Sequence, residues 1–335
     1  MPLSTVLGQS GAIGTLERAL RTGKVHHAYR FEGPNGVGKE MAAFAFAQAL
    51  LCETPPPSGE ARAACGRCSP CVRAVTLSTE PPHVPLHPDV ILIERGLYSP
   101  EALRRTRQEL QDISVDQIRK CVLERASFPP HEGRARIIIV RRAHELSTSA
   151  ANALLKTLEE PPARTHFVLL TDRGRDLLDT VRSRTQLVRF APLSAALVKS
   201  ILEKREVAPD IAETAADDAG GSVAAALQYA DADAAAERSA FIEATVAALS
   251  GPDLAAALAL ADARAREKDV LIDRLTALAG YFAKKGRAEV QRHADSALRA
   301  AKSYGAVARA IDELERNGSP ALVLEGMVAR LRHEL

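Results

Sequence analysis

The sequence predicts an α/β fold with a doubly wound parallel sheet in its first half and a helical second half. Three observations lead to this prediction. Short apolar runs rich in Val, Ile and Leu alternate with helix-like segments up to about residue 190. A glycine-rich turn joins the first of these runs to a strong helical pattern. From about Ser194 to Leu335 the chain is Ala-rich, follows a helical periodicity and shows no convincing strand pattern.

The predicted strands are continuous apolar runs rather than alternating ones. Such runs suit strands covered on both faces, as in a parallel sheet packed between two layers of helices. Helices are predicted between the strands, notably Ser149–Glu160, which Pro161 and Pro162 terminate. The strand runs are "AYRFEGP" (28–34), "DVILIER" (89–95), "RIIIVRR" (136–142) and "HFVLLTD" (166–172). We therefore expect a parallel α/β domain that ends near Phe190.

Composition and charge bound the class of protein. The chain has 335 residues, of which 46% are hydrophobic and 26% charged, with a formal net charge of +2. This length allows two or three domains. A nearly neutral chain has no global basic field, so nucleic-acid binding would need a local patch or partners. The N-terminal residues show no leader pattern and no run reaches the ~18 apolar residues that span a bilayer, so we predict a cytoplasmic protein without a membrane partner.

The turn after the first strand reads "GPNGVGKE", residues 33–40, and is called the phosphate loop below. It matches the pattern G-x-x-x-x-G-K-[ST] except at its last position, where Glu40 replaces the hydroxyl that normally binds Mg²⁺. The backbone N–H groups of such a turn and the N-terminus of the following helix favour phosphate. We interpret the loop as a scaffold whose binding function has decayed. Its candidate phosphate-binding residues are Gly33, Gly36, Gly38 and Lys39.

A second ligand of nucleotide-bound Mg²⁺ normally comes from an acidic residue after a neighbouring strand. Arg141 and Arg142 stand there instead, directly after "RIIIV". Paired arginines are expected to bind phosphate rather than Mg²⁺, and Glu145 is predicted to point elsewhere. For these arginines, with Arg134 and Arg136, a solvated face or intersubunit salt bridges is favoured over contacts with DNA phosphates. The sequence therefore predicts weak or absent ATP binding and no intrinsic hydrolysis.

Four of the five cysteines have a spacing that suits a metal better than disulfides. Cys52, Cys65, Cys68 and Cys71 follow the pattern C-x12-C-x2-C-x2-C. Four thiolates complete a tetrahedral zinc shell and leave no open position for catalysis, so a structural zinc is predicted. The alternative is a set of unliganded thiols. Cys121 is left over and is predicted to be a buried helix residue.

Several stretches together resemble the clamp-loader branch of the AAA+ ATPases, specifically that of bacterial DNA polymerase III. They are "VLGQSGAIGTLERALRTGKVHHAYRFEGPNGVGKE", the cysteine cluster, "ANALLKTLEEPP" and "LLDTVRSRTQ", and the match covers about residues 4–190. The resemblance implies an AAA+ nucleotide-binding-type domain over 1–191 with a zinc module inserted at about 52–71. Turn-like stretches divide the helical half into a small domain over 192–235 and a larger one over 236–335, which the resemblance implies are a lid domain and a collar domain for oligomerisation.

The resemblance also assigns roles to residues. In the family a Ser-Arg-Cys segment carries an arginine finger to the ATP of the neighbouring subunit, and Ser183, Arg184 and Thr185 stand at these positions. From spacing alone Arg184 would be a surface salt-bridge residue, and Arg182 is the second candidate for the finger. Thr171 occupies the sensor-1 position and is expected only to cap its strand.

The family's sensor arginine, in the helix after "GGS", is absent from "VAAALQ". Together with the two lost metal ligands, this implies a non-hydrolysing subunit of a five-subunit ring. The implied partners are tau/gamma and delta subunits, the sliding clamp and primed-template DNA.

Two other interpretations stay open. The first is an active tau/gamma-like ATPase in which Glu40 and nearby acids replace the usual metal ligands, and Mg²⁺-dependent turnover by the isolated chain would favour it. The second is a free-standing zinc-dependent nucleic-acid-binding protein, which predicts tight, salt-sensitive DNA binding without partners. The near-neutral charge and the 4% aromatic content argue against it.

Overall fold

The computed structural model describes residues 2–55, 64–103, 111–132, 134–250, 268–290, 293–316 and 318–334. It divides into two compact units, Met1–Ala226 and Leu227–Leu335. Residues 56–63 of the predicted zinc module and 251–267 of the predicted collar lie outside the described residues.

The first unit is built on a sheet of five parallel strands in the order β2-β3-β4-β1-β5. The four predicted strands are confirmed. The fifth, at the edge beside β1, was not predicted, and only its Val188 is buried. The strands are β1 Ala28–Glu32, β2 Val90–Ile93, β3 Arg136–Val140, β4 Thr165–Thr171 and β5 Gln186–Arg189.

Both faces of the sheet are buried, as continuous apolar strands require. In β3 every residue is buried, and alternate side chains enter two different cores. Ile137 and Ile139 lie in the core that contains Leu16 of the first helix and Phe46 of the second. Ile138 lies in the opposite core. The prediction of a parallel sheet covered by helices on both faces is thus confirmed.

Helices of the first unit fill the connections between strands and continue after β5. The helix after β1 is apolar on nearly all sides because both its faces are covered. The helices are α1 Ser10–Thr22, α2 Lys39–Leu51, α3 Ser69–Val75, α4 Val115–Ile118, α5 Glu124–Ala126, α6 Thr148–Glu159, α7 Asp179–Arg182, α8 Ala195–Glu203, α9 Pro209–Asp218 and α10 Val223–Ala230, the last of which runs past the unit boundary.

The second unit is helical throughout its described part, as predicted. Its helices are α11 Ala232–Ser250, α12 Lys268–Glu289, α13 Ala294–Glu315 and α14 Pro320–Glu334. The fully buried side chains at its centre include Leu275, Leu278, Val307, Leu314 and Leu331. Among the described residues, no helix of the chain is long and apolar enough to cross a bilayer.

Candidate functional site

The phosphate loop connects the carboxyl end of β1 to the N-terminus of α2. Its Gly33 N–H donates to the Thr171 carbonyl at the end of the adjacent β4, at 3.2 Å. Gly38 starts α2 in the left-handed conformation, with φ at 98°, which glycine adopts without strain. The loop therefore has the strand–turn–helix setting that a phosphate site needs.

Lys39 does not extend from the loop. Its side chain is folded back, and the ammonium donates hydrogen bonds to the carbonyl oxygens of Gly33 and Pro34. Lys39 is only 7% exposed, and burial lowers the pKa of its ammonium group. The group that would reach the β- and γ-phosphates is bound by the loop itself.

The loop is also closed from its outer side by the start of α10. The Val223 N–H donates to the Gly36 carbonyl at 3.1 Å. A Cβ placed on Gly36 would lie 2.4 Å from Ser222 Oγ and 2.7 Å from the Ala224 nitrogen. Gly36 is required here because no larger residue fits between the loop and this helix.

The residues that stand at the two metal-ligand positions, Glu40 and Arg141, form an ion pair with each other. Arg141 Nη2 binds Glu40 Oε1, and Arg141 Nη1 donates to Glu94 Oε2 at 2.8 Å. Glu94 directly follows β2 and Arg141 directly follows β3, and these strands pair with Ile93 opposite Val140. The site therefore holds an arginine between two carboxylates where a Mg²⁺ site would hold a cation between an oxygen of α2 and one at a strand end. The sequence predicts that Arg141 and Arg142 bind phosphate rather than Mg²⁺; in the structure the terminal nitrogens of Arg141 bind two carboxylates of this chain.

The other predicted surface arginines are engaged by protein groups as well. Arg142 Nη2 binds Glu145 Oε1 at 2.7 Å, so the Glu145 carboxylate is paired with an arginine of its own segment. Arg136 is buried rather than part of a solvated face, and it pairs with the fully buried Asp89 at 3.3 Å. Arg134 Nη1 donates to the Cys52 carbonyl at 2.8 Å. Each of these three arginines thus makes a contact with a carboxylate or a backbone carbonyl of the described chain.

A histidine beside the loop was not singled out from the sequence. His144 Nδ1 lies 3.0 Å from Thr171 Oγ1 and 3.4 Å from Asp172 Oδ1, and its side chain is 5% exposed. Burial, outweighing the attraction of Asp172, lowers the pKa of His144 to about 4. Thr171 Oγ1 also accepts from the Arg173 N–H at 3.0 Å, so it caps the end of β4 as expected. Asp172 in turn accepts from Asn35 Nδ2 of the loop at 2.8 Å.

The four cysteine sulfurs meet in one cluster, within 4.8 Å of one another. A tetrahedral Zn–S₄ site with bonds of about 2.3 Å places its sulfurs about 3.8 Å apart, and the Sγ atoms of Cys65 and Cys71 are 4.0 Å apart. The Cys65 N–H donates to Cys52 Sγ and the Cys68 N–H to Cys65 Sγ, both at 3.3 Å, which are contacts that stabilise thiolates. The residues thus fit a zinc ion and could hold one.

The cluster ties two helices together. Cys52 ends α2, whereas Cys71 lies on α3 and is fully buried. Gln48 Nε2 of α2 adds a hydrogen bond to the Cys71 carbonyl at 2.6 Å. Cys121 is 5% exposed, within the helical segment between α4 and α5, as predicted.

Arg184 lies away from the phosphate loop, just past the end of α7. Its side chain is 32% exposed. Its guanidinium binds Glu159 at the end of α6 and donates from Nη1 to the Thr180 carbonyl at 2.9 Å. Thr185 is 8% exposed, and its hydroxyl donates to the Val181 carbonyl at 3.1 Å. Arg182 pairs instead with Asp179 at 2.8 Å on the same short helix.

Comparison with known proteins identifies the family. A sequence profile described as "DNA polymerase III, delta subunit" matches residues 8–194, more than half of the chain. The chain belongs to this DNA polymerase III delta-subunit family. The matched region contains the phosphate loop, the cysteine cluster and Arg184.

Curated relatives lie in two groups of similar identity. The DNA polymerase III subunit gamma/tau of Mycobacterium tuberculosis is 32% identical over 199 residues, 59% of this chain and 30% of the relative. The DNA polymerase III subunit delta' of Bacillus subtilis is 30% identical over 202 residues, 60% of this chain and 53% of the relative. The match thus spans about a third of the Mycobacterium gamma/tau subunit and about half of the Bacillus delta' subunit, and identity does not separate the two.

Among solved structures, a DNA polymerase III gamma subunit-related protein of Thermotoga maritima aligns over 95% of this chain and 99% of that chain. The TM-score is 0.42 and the sequence identity 17%. A RuvB protein of the same organism aligns over 86% of this chain and 78% of that chain, with a TM-score of 0.42 and 15% identity.

Proposed function

We propose that this chain is the delta-prime subunit of a bacterial DNA polymerase III clamp loader and does not hydrolyse ATP. The observation that carries the proposal is the ion pair of Arg141 with Glu40 and Glu94 at the place of the two metal ligands. A loop without Mg²⁺ ligands cannot align a nucleotide for in-line attack. The folded-back Lys39 and the contact of Gly36 with α10 support the same conclusion, namely weak or absent ATP binding by this chain.

In this proposal Arg184 acts in trans on ATP bound to a neighbouring tau/gamma subunit. A guanidinium aimed at the transferring phosphoryl group stabilises its charge and accelerates hydrolysis by roughly 10³ to 10⁵ in well-studied systems. The partial exposure of Arg184 and the Ser183–Arg184 match to the family segment support this role. The chain then contributes a residue to the ATP site of a neighbouring subunit and does not itself catalyse ATP hydrolysis.

The remaining parts take supporting roles in the proposal. Zinc bound by Cys52, Cys65, Cys68 and Cys71 would be structural, because four thiolates fill its coordination shell. The α/β core over 1–191 and the small helical domain over 192–235 would form the AAA+ module. The helical domain over 236–335 would join the collar of the ring. Partners would be tau/gamma and delta subunits, the sliding clamp and primed-template DNA.

A second candidate is an active tau/gamma-like ATPase. The 32% identity to gamma/tau relatives favours it, as do the retained Gly33, Gly38 and Lys39. Against it stands Glu40, whose carboxylate would lie close to the phosphates and is bound by Arg141 rather than available to a metal.

The test is DNA- and clamp-stimulated ATP hydrolysis by a loader reconstituted with subunits of the same organism. Arg184→Ala should lower the stimulated rate about 10³-fold or more. Arg175→Ala is the matched control, because Arg175 is an exposed arginine shortly before the same helix, and it should leave the rate unchanged. Equal rates for Arg184→Ala and wild type would remove the finger role. A loss in Arg182→Ala alone would transfer that role to Arg182.

A further inference from the structure

We infer that Glu159 is a positioning residue for Arg184. Glu159 ends α6, and it is 25 residues from Arg184 in sequence, yet it contributes the carboxylate that binds the guanidinium. This inference rests on the proposed trans action of Arg184. It adds a second residue of this chain whose effect is felt only at a neighbour's nucleotide.

The contacts engage all three nitrogens of the guanidinium and leave one N–H donor unused. Arg184 Nε donates to Glu159 Oε1 at 2.8 Å, and Nη2 binds the same oxygen. Nη1 donates to the Thr180 carbonyl at 2.9 Å and contacts Ser183 Oγ at 3.2 Å. A guanidinium has five N–H donors, so within the described chain these four contacts leave one N–H on Nη2. That donor can meet a phosphate oxygen while Glu159 stays in place.

Glu159 is presented by a rigid element. Ser147 caps the N-terminus of α6, because its Oγ accepts a hydrogen bond from the Ala150 N–H at 3.2 Å. Leu154 and Leu158 of the same helix are at most 1% exposed. These buried contacts fix the helix end that carries Glu159, whose own side chain is 47% exposed, and the hydrogen bond to Glu159 limits the orientations of the Arg184 guanidinium.

Glu159 orients the Arg184 guanidinium and is not needed for its positive charge. Arginine is protonated at all physiological pH values, so it needs no carboxylate to carry its charge. It does have a long side chain that must lose its rotational freedom before it can act. Because Glu159 binds the side of the guanidinium that includes Nε, it restricts this freedom without having to leave when a phosphate arrives. A carboxylate acting as a latch would have to be displaced.

The test is a double-mutant cycle in the reconstituted loader, with kcat and KM for ATP measured under DNA and clamp stimulation. Glu159→Gln keeps the shape and removes the charge, and it should lower kcat about tenfold or more with little change in KM. Glu159→Asp should recover part of the loss. Glu160→Gln, at the exposed neighbouring position, should have no effect. The double variant Glu159→Gln with Arg184→Ala should equal Arg184→Ala alone, because the carboxylate acts only through that arginine.

The outcomes separate this inference from the proposed function. A wild-type rate for Arg184→Ala would overturn both. A large loss for Arg184→Ala with a wild-type or faster rate for Glu159→Gln would overturn only the role of Glu159, and the faster rate would make it a latch. A further loss when Glu159→Gln is added to Arg184→Ala would also overturn it, because the residue would then act by another route. Unchanged melting temperatures of the isolated variants exclude a folding defect as the cause.

Discussion

Arg141 and Arg184 are both bound by glutamates, but in different surroundings. Arg141 lies between two carboxylates at the ends of adjacent parallel strands and next to the phosphate loop, with 22% of its side chain exposed. Arg184 has one carboxylate partner past the end of a short helix, and 32% of its side chain is exposed. Arg141 binds a carboxylate through each of its two terminal nitrogens, whereas Arg184 binds one carboxylate and makes its other contacts with a backbone carbonyl and a hydroxyl.

The comparison shows that an arginine can occupy the metal position of one site, as Arg141 does, whereas another, Arg184, is proposed to act at the site of a neighbouring subunit. Without Arg141 the carboxylates of Glu40 and Glu94 would lie close together with no positive charge between them. Arg141 therefore stabilises the phosphate-loop region. An exposed pair such as Arg184 with Glu159 contributes little to folding. In the proposed function, Arg184 acts on the nucleotide of a neighbouring subunit rather than on the stability of this chain.

Zinc removal should produce the largest loss of stability. It should affect the helices next to the phosphate loop and the cysteine cluster more than the helices next to Arg184. Cys52 follows α2, the helix that begins at the phosphate loop. Zinc sites contribute folding free energy directly, so chelation should destabilise the first unit by several kcal/mol. Hydrogen exchange should accelerate in α2 and α3 before it does in α6 and α7. An unchanged melting temperature after verified metal removal would contradict a structural zinc site.

Substitution by alanine should lower stability clearly at Arg141 and hardly at all at Arg184. Arg141→Ala should lower the free energy of unfolding by about 1–2 kcal/mol, a value reduced from that of a buried pair because Glu40 and Glu94 are partly exposed. Arg184→Ala should change it by less than about 0.5 kcal/mol. Urea unfolding of the isolated chain measures both. Equal losses of unfolding free energy in the two variants would contradict the claim that Arg141, but not Arg184, stabilises the fold.

A smaller effect concerns pH and lies on the phosphate-loop side, where His144 is buried. Its folded-state pKa of about 4 is below the ordinary value of 6.5, so the unfolded chain takes up the proton first. Stability should be unaffected by His144 above pH 7.5 and should fall as the pH drops from 6.5 towards 4. His144→Gln should reduce the loss between pH 7.5 and 5.5 by about 1 kcal/mol.

Other histidines also titrate in this range. Burial lowers the pKa of His27, His87 and His166, so the variant should keep part of the slope. The comparison of wild type with His144→Gln isolates the contribution of one residue. An identical slope in the two proteins would show that His144 is not buried in its neutral form.

The parts of the fold that sequence predicts are those with strong apolar signals. Four strands are continuous apolar runs and were predicted, whereas β5, "QLVR", buries only Val188 and carries no such signal. The helical second unit was predicted because its periodicity is long and uninterrupted by strand-like runs. The edge strand β5 is defined by its pairing with β1, which is a tertiary contact that the local sequence does not show.

The site was predicted residue by residue but not contact by contact. Glu40 and Arg141 were recognised as departures from a metal site, yet their ion pair depends on the register of β2 against β3, which brings in Glu94. Glu159 approaches Arg184 only because α6 and α7 pack together. A lone histidine such as His144 has no pattern around it, and only its burial beside Thr171 makes it notable.

The most direct test of the central claim is ATP turnover by the isolated chain in the presence of Mg²⁺. The chain is proposed to have a closed site of its own and an arginine for a neighbour's site, so the rate should not exceed that of buffer alone at any ATP concentration. Lys39→Ala serves to identify a contaminating ATPase, whose activity the substitution would not change. Mg²⁺-dependent turnover that Lys39→Ala abolishes would contradict the account and make the chain an ATPase of the tau/gamma kind.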